Sequence, residues 1–231
     1  MHGPLGWPTM NDDVWLVIPL YNEAQVIGDV VATARAVFPH VVCIDDGSRD
    51  ASAAAAEAAG AVVVRHPVNL GQGAALQTGF SYALGDPGMQ WVVTFDADGQ
   101  HQVADVVAML DKARAESLDV VFGSRFLDDR TKASFLKKLV LRAAVGYTNL
   151  TTKTRLTDAH NGLRLISRPV VERIDITQNR MAHASELVAQ IGDMDVRYGE
   201  SPVHILYTDY SKAKGQSIWN AVNILVELIL R

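Results

Sequence analysis

Short β-rich runs alternate with helix-like stretches through the first half of the chain: VWLVIPL then EAQVIGDVVATARAVF, VVCIDD then DASAAAAEAAG, AVVVRH then GAALQTGFSYAL, WVVTFDAD then VADVVAMLDKARAE, and finally DVVFGS. Near-continuous apolar strands separated by helices call for a mostly parallel α/β sheet covered on both faces, since such strands must hide two apolar sides. In such sheets ligands bind beyond the carboxyl ends of the strands. The polar clusters PLYNE, DDGSRD, NLGQG, DADGQH and GSRF each follow a strand, so they should meet on that one edge.

After residue 125 the alternation loosens. The pattern predicts a basic amphipathic helix over about 134 to 150, a turn and short strand in TDAHNGLRLIS, a helix around MAHASELVAQIG, a strand in VRYGESPVHILY and a last helix from about Gln216. The organisation expected is a loose tail over 1–12, carrying Gly3, Pro4, Gly6 and Pro8, one catalytic unit over 13–215, and a C-terminal amphipathic helix over 216–231. There is no internal repeat, and Ala-rich 51 to 59 is a good helix former. One cysteine, Cys43, lies in the apolar run VVCI, which suits a buried thiol in a reducing compartment such as the cytoplasm. No signal peptide is visible, and the apolar segment SIWNAVNILVELILR falls short of the roughly 20 residues that cross a bilayer.

Charge is unevenly spread. The net charge is −5, yet eight basic residues between Arg125 and Arg155 face only Asp128 and Asp129, which makes that stretch +6 and the rest −11. An acidic chain with one basic segment marks a place for an anion. The acidic counterpart is Asp96-Ala97-Asp98, directly after an apolar run. Two such carboxylates repel each other, and Mg²⁺ or Mn²⁺ removes that cost while clamping substrate phosphates. An Asp-x-Asp triplet alone is so common that capping of a turn by Asp96 and of the next helix by Asp98 is its plainer explanation.

Context decides between them. The ordered series PLYNE, IDDGSRD, NLGQGAALQTG, FDADGQH and GSRF resembles family 2 glycosyltransferases of the GT-A fold, over essentially the whole chain. Within that family DADGQH, GSRF, DAHNGLR and YSKAKGQS look most like the polyprenyl-phosphate glycosyltransferases, relatives of dolichol-phosphate mannose synthase, with the actinobacterial polyprenyl-phosphate N-acetylgalactosamine synthases a similar subgroup. The resemblance implies a Rossmann-like GT-A sheet with C-terminal amphipathic helices, and a metal-dependent, inverting transfer of a sugar from a nucleotide-diphosphate sugar, a UDP-sugar foremost, to polyprenyl phosphate. GQGAAL half-resembles a dinucleotide fingerprint, but it lacks the third glycine and follows the third strand, which argues against a dehydrogenase.

The resemblance also implies roles. Pro19, Tyr21 and Glu23 would lie against the nucleotide, and Asp45 or Asp46 would reach the base or ribose, unless one of them caps the helix that starts near Asp50. The loop of Asn69, Gly71, Gln72 and Gly73 offers small residues and backbone N–H groups at a helix start. The metal is expected at Asp98, with Asp96 on ribose or metal, Ala97 between them and Gln100 as a further ligand. His101 would orient the loop, face solvent or act as a cap, and His183 and His204 are left out of the metal set. A lipid phosphate is already ionised, so it needs cations rather than a base; Arg125 and Arg142 correspond to the phosphate-binding arginines, with Lys138 able to replace Arg142. Asp158 and Glu186 would hold sugar hydroxyls or position the acceptor, while Asn161, Gly162 and Arg164 would shape the pocket. Lys212, Lys214, Gln216 and Ser217 would close over the diphosphate.

In the last helix Asn220, Asn223 and Glu227 leave a narrow polar stripe on an otherwise apolar cylinder. Packing on the catalytic unit, lying on a bilayer, docking on an integral membrane partner or pairing in a homo-oligomer would each cover it. The basic 134 to 150 helix favours anionic headgroups. The expected setting is cytoplasmic and peripheral, at the inner face of the plasma membrane, with no nucleic-acid partner. Rival readings are a family 2 enzyme acting on a saccharide hydroxyl, which needs a general base such as Asp158 or Glu186, and a nucleotide-sugar-binding subunit without turnover.

Overall fold

A computed structural model of the chain describes residues 11–128, 152–159, 161–179 and 182–206. The expected basic helix over 134 to 150, the last helix from Gln216 and most of the N-terminal tail lie outside the described residues.

Among the described residues seven strands form one sheet: β1 (Val14–Leu20), β2 (His40–Asp45), β3 (Val62–Arg65), β4 (Trp91–Thr94), β5 (Val120–Ser124), β6 (Arg164–Ser167) and β7 (Tyr198–Pro202), in the spatial order β3-β2-β1-β4-β6-β5-β7. Pairing is parallel for β1 with β2, β1 with β4, β2 with β3 and β5 with β7. It is antiparallel only where β6 lies between β4 and β5. The helices are α1 (Ile27–Arg35), α2 (Ser52–Ala58), α3 (Gln72–Leu84), α4 (Val103–Glu116), α5 (Arg168–Val171) and α6 (His183–Asp193).

Period-two alternation builds two cores. Val14, Leu16, Ile18 and Leu20 of β1 point to the layer that includes Ile27, Val30, Val31 and Ala34 of α1 and Val106, Met109, Leu110 and Ala113 of α4. Trp15 and Val17 point to the opposite layer, with Leu76 and Phe80 of α3 and Leu187, Val188 and Ile191 of α6. Both helix sets follow the i, i+3, i+4, i+7 spacing of a single buried face. β1 is thus buried on both sides, which is why its sequence reads as one apolar run. α3 lies so close to the sheet that a Cβ at Gly79 would run into the Val17 side chain. Cys43 is fully buried, and burial, helped by the Asp45 charge, pushes its thiol up to about 12, so it is an inert core group.

Two features of this sheet position a site. Chain order reverses between β1 and β4, so the crevice at their carboxyl ends is a topological switch point. Because β6 runs antiparallel, its amino end, not its carboxyl end, reaches that same edge and delivers Asn161, Gly162 and Arg164 there. The run of strands through DVVFGS is parallel as expected; the one inverted strand comes from the segment where alternation loosened.

Candidate active site

A cleft of about 720 Å³ opens on the switch-point edge, within the size range of small-molecule sites. Pro19, Tyr21 and Glu23 after β1, and Asn69, Gly71 and Gln72 ahead of α3, border it. Asp96, Ala97, Asp98 and Gln100 after β4, with Arg125 after β5, complete the meeting of loops that the alternation implied.

The nucleotide-side loop is held by Asp46. Its Oδ1 accepts the Leu70 N–H at 2.8 Å and its Oδ2 the Gly71 N–H at 2.7 Å, while His66 Nδ1 lies 2.8 Å from Oδ1. His66 Nε2 stands 2.9 Å from Thr78 Oγ1, tying the loop to α3. Gly47, at φ +74, lets the preceding turn pass under the loop: a Cβ there would lie 2.8 Å from Asn69 N. Asp46 borders the cleft, but its carboxylate is engaged in holding the loop that forms the cleft wall. Of the two alternatives, Asp45 and Asp46, it is Asp46 that borders the cleft. Asp45 does not border it, and its Oδ1 accepts the Ser48 N–H at 3.0 Å in a turn. At the helix start near Asp50, Asp50 itself accepts the Ser52 N–H through Oδ1 at 3.0 Å.

Gly73 likewise sits beneath the cleft wall rather than on it. Its N–H donates to Asn179 O at 3.0 Å, and a Cβ would collide with Gln178 O. The 177–178 turn is set by Glu186, whose carboxylate accepts Thr177 N–H and Oγ1–H and, at 2.8 Å, Gln178 N–H. Glu186, expected beside the donor sugar and acceptor, therefore shores up the loop behind α3 and does not border the cleft. A carboxylate that accepts three local donors on the first turn of α6 satisfies itself without any ligand.

Asp158 is also differently employed. It is 1% exposed and accepts both forks of the Arg125 guanidinium, Nε at 2.6 Å and Nη2 at 2.8 Å, together with the Arg125 N–H at 3.1 Å. Its own loop is pinned from β7, where Glu200 Oε1 accepts the Thr157 and Asp158 N–H groups. The pair leaves Arg125 at the cleft in one orientation, with its guanidinium 5.7 Å from the Phe126 ring centre.

At the acidic tip Asp98 Oδ1 accepts the Gln100 N–H at 3.0 Å, a tight turn, and no side chain caps the start of α4. Gln72 Nε2 approaches Asp96 Oδ1 at 3.4 Å. Facing solvent was one alternative for His101; it is buried, and burial holds its pKa below the ordinary value, with the Asp96 charge acting in the opposite direction. Beneath lies Arg164, fully buried, lowered by burial to about 10 against the pull of Asp96 and Asp158, and so still a cation at neutral pH. Arg164, Gly162, Asn161 and His183 all border the cleft. The adjacency of Arg164 to two carboxylates had no sequence signal, because it depends on the inverted strand. Arg142, Lys212, Lys214 and Ser217 lie outside the described residues.

Fold and cleft together define a class: an α/β protein whose ligand site lies at the switch point of a mostly parallel sheet, with an acidic tip and a fixed guanidinium in one cavity. The chain matches glycosyl transferase family 2 over residues 15–175 and belongs to that family, as a glycosyltransferase of the GT-A fold. It is similar to an uncharacterized protein of Methanocaldococcus jannaschii, 32% identical across 95% of this chain and 92% of that one. It is also similar to the UDP-N-acetylglucosamine–dolichyl-phosphate N-acetylglucosaminyltransferase of Methanococcus voltae, 27% identical across 94% and 95%. Glucosyl-3-phosphoglycerate synthase of Mycobacterium tuberculosis, solved with Mn²⁺, UDP and phosphoglyceric acid, shares the fold at a TM-score of 0.68 and 16% identity, over 94% of this chain and 78% of that one.

Proposed function

We propose that this glycosyltransferase moves a sugar from a nucleotide-diphosphate sugar, a UDP-sugar foremost, to polyprenyl phosphate, with inversion and with Mg²⁺ or Mn²⁺. The observation that carries the reading is the state of the carboxylates around the cleft. Asp158 and Glu186, the residues a hydroxyl acceptor would need as general base, are both engaged in internal hydrogen bonds, and the cation that Asp158 holds, Arg125, borders the cleft. A phosphate monoester acceptor carries its negative charge already and needs a fork to hold it, not a base. The Methanococcus voltae relative, named for a UDP-sugar donor and a dolichyl-phosphate acceptor, supports the same reading.

The donor set suits a hard cation. Among the described residues no group of three or more His, Cys, Asp or Glu side chains gathers as a cage. An acidic pair plus an amide is what a cation that keeps waters and shares substrate phosphates requires. Asp96, Asp98 and Gln100 would hold it, and when bound it neutralises the departing diphosphate. The chain's own part is to orient: the loop held by Asp46 lines the nucleotide side, and Arg125 presents the acceptor phosphate. Its oxygen attacks the anomeric carbon as the nucleoside diphosphate departs, a single displacement that inverts that centre. Arg142 and the Lys212, Lys214 and Ser217 segment join this reading from sequence, as do the extent of the catalytic unit over 13–215 and the peripheral, inner-face setting that a bilayer-bound acceptor demands. Among the described residues no helix is long and apolar enough to cross a membrane.

The test is a screen of UDP-, GDP- and dTDP-sugars against one short-chain polyprenyl phosphate, with mass spectrometry and anomeric analysis of the lipid. A glycosyl phosphate lipid, inverted and lost in EDTA, is expected. Transfer to saccharide hydroxyls with none to the lipid phosphate overturns the acceptor, and undiminished turnover in EDTA removes the metal.

A further inference from the structure

Asp96 leaves β4 between two fixed walls. Register pairs Thr94 with Arg164 in antiparallel sense, so two residues further along Asp96 stands over Gly162. A Cβ at position 162 would lie 2.8 Å from Asp96 Oδ2, 3.1 Å from Oδ1 and 3.2 Å from Cγ. Gly162 does not have a positive φ, so what its lack of a side chain supplies is space, not backbone freedom. Thr94 Oγ1 donates to Gly162 O at 2.5 Å and pins that backbone against the strand. On the other side Gly99, at φ +75, turns the loop back and brings His101 under Asp96. The Asp96 N–H donates to His101 Nδ1 at 3.1 Å, which places the ring proton on Nε2, and Nε2 stands 3.4 Å from Asp96 Oδ2. His101 is 6% exposed and edge-on to Phe95 at 5.4 Å, so it has little room to turn.

We propose that Gly162 and His101 are positioning residues that set the Asp96 carboxylate in the one orientation that meets the donor diphosphate and its cation. The inference rests on the assignment of Asp96 under the proposed function. A side chain at 162 must displace the carboxylate, because real Cβ atoms do not approach oxygen to 2.8 Å. From the other side the Nε2–H faces the same oxygen at 3.4 Å, a polar contact that favours this orientation and is lost when the Nε2 donor is removed. Partners behind a ligand of this kind are worth about 10- to 100-fold in affinity.

Calorimetry in Mn²⁺ tests it, with whichever of UDP, GDP and dTDP binds wild type most tightly, and melting curves in parallel. Gly162→Ala should weaken binding about 10- to 100-fold and have no further effect when combined with Asp96→Ala. His101→Gln, which keeps a donor near the place of Nε2, should bind more tightly than His101→Asn, which keeps only the acceptor near Nδ1. An equal loss from Gly162→Ala with and without the Asp96 carboxylate overturns the inference alone, as does wild-type binding by both Gly162→Ala and His101→Asn. Wild-type binding by Asp96→Ala, or no binding by wild type, overturns the assignment of Asp96 and the inference with it. If Gly162→Ala does not fold, the two His101 variants, each with and without Asp96→Ala, decide by the same criterion.

Discussion

Replacing Asp158 by Asn keeps its size and removes its charge, and the structure dictates two separable effects. In the folded protein the Asp158 carboxylate accepts three donors from Arg125, two of them from the guanidinium, in a place that is 1% exposed. An amide can accept at one oxygen only, and its NH₂ group would meet the guanidinium donor to donor. Breaking a buried pair from one side costs about 3–5 kcal/mol. The Arg125 side chain is 16% exposed and keeps a solvated edge, so the loss should fall near about 3 kcal/mol. For a chain of this size that is about 6–12 °C in melting temperature. The second effect is kinetic. A loosened Arg125 should raise KM for the lipid phosphate while kcat and nucleotide affinity change little, because the guanidinium is still present but no longer aimed. Steady-state kinetics with the acceptor varied at saturating donor, paired with differential scanning calorimetry, reads both. Were Asp158 instead a general base, kcat would fall by about 10²–10⁴ at unchanged acceptor KM, and that result would refute the argument.

Three further outcomes are expected. Asp98→Asn abolishes transfer while the melting temperature stays within a few degrees of wild type, as followed by lipid product formation; full activity in that variant removes Asp98 from the reaction. Asp46→Asn loses one of the acceptors that hold Leu70, Gly71 and His66, so nucleoside diphosphate affinity should drop about tenfold, equivalent to about 1.4 kcal/mol, by calorimetry; wild-type affinity would detach the loop from nucleotide binding. Asp86 has its carboxyl pKa lowered chiefly by the Trp15 indole N–H, 2.9 Å away, and further by the Gly88 N–H. A depressed folded pKa supplies stability that is present above the unfolded value of about 3.9 and is lost as pH falls through the folded value, so melting temperatures of wild type and Asp86→Asn should converge below that pH.

The strand and helix order through Ser124 was legible because each β-run there is apolar on both sides and each helix carries its spacing. The cleft edge followed from topology, and with it the placement of Tyr21, Gln72, Asp98 and Arg125. What could not be read was the second partner of each carboxylate. Asp45, Asp46, Asp158 and Glu186 are equally plausible ligand groups in a string of letters, and only tertiary distance shows that Asp158 meets Arg125 and Glu186 meets Thr177. His101 is similar: its burial depends on Gly99 turning the loop back. The direction of β6 was hidden because a four-residue strand, RLIS, carries no signal of its direction, which is set by the gap that it fills.

That gap has a consequence for biogenesis. β4 and β5 are consecutive strands in the chain, yet they never touch as neighbours, since β6 separates them. A nascent polypeptide halted before Arg164 would carry the four-stranded β3-β2-β1-β4 sheet with a bare rim on β4, and β5 with neither of its neighbours, the kind of surface that invites mispairing and precipitation. Insertion of β6 joins β5 to that sheet and, in the same event, seats Gly162 and Arg164 beside Asp96. Joining of the scaffold and completion of this side of the cleft thus arrive together.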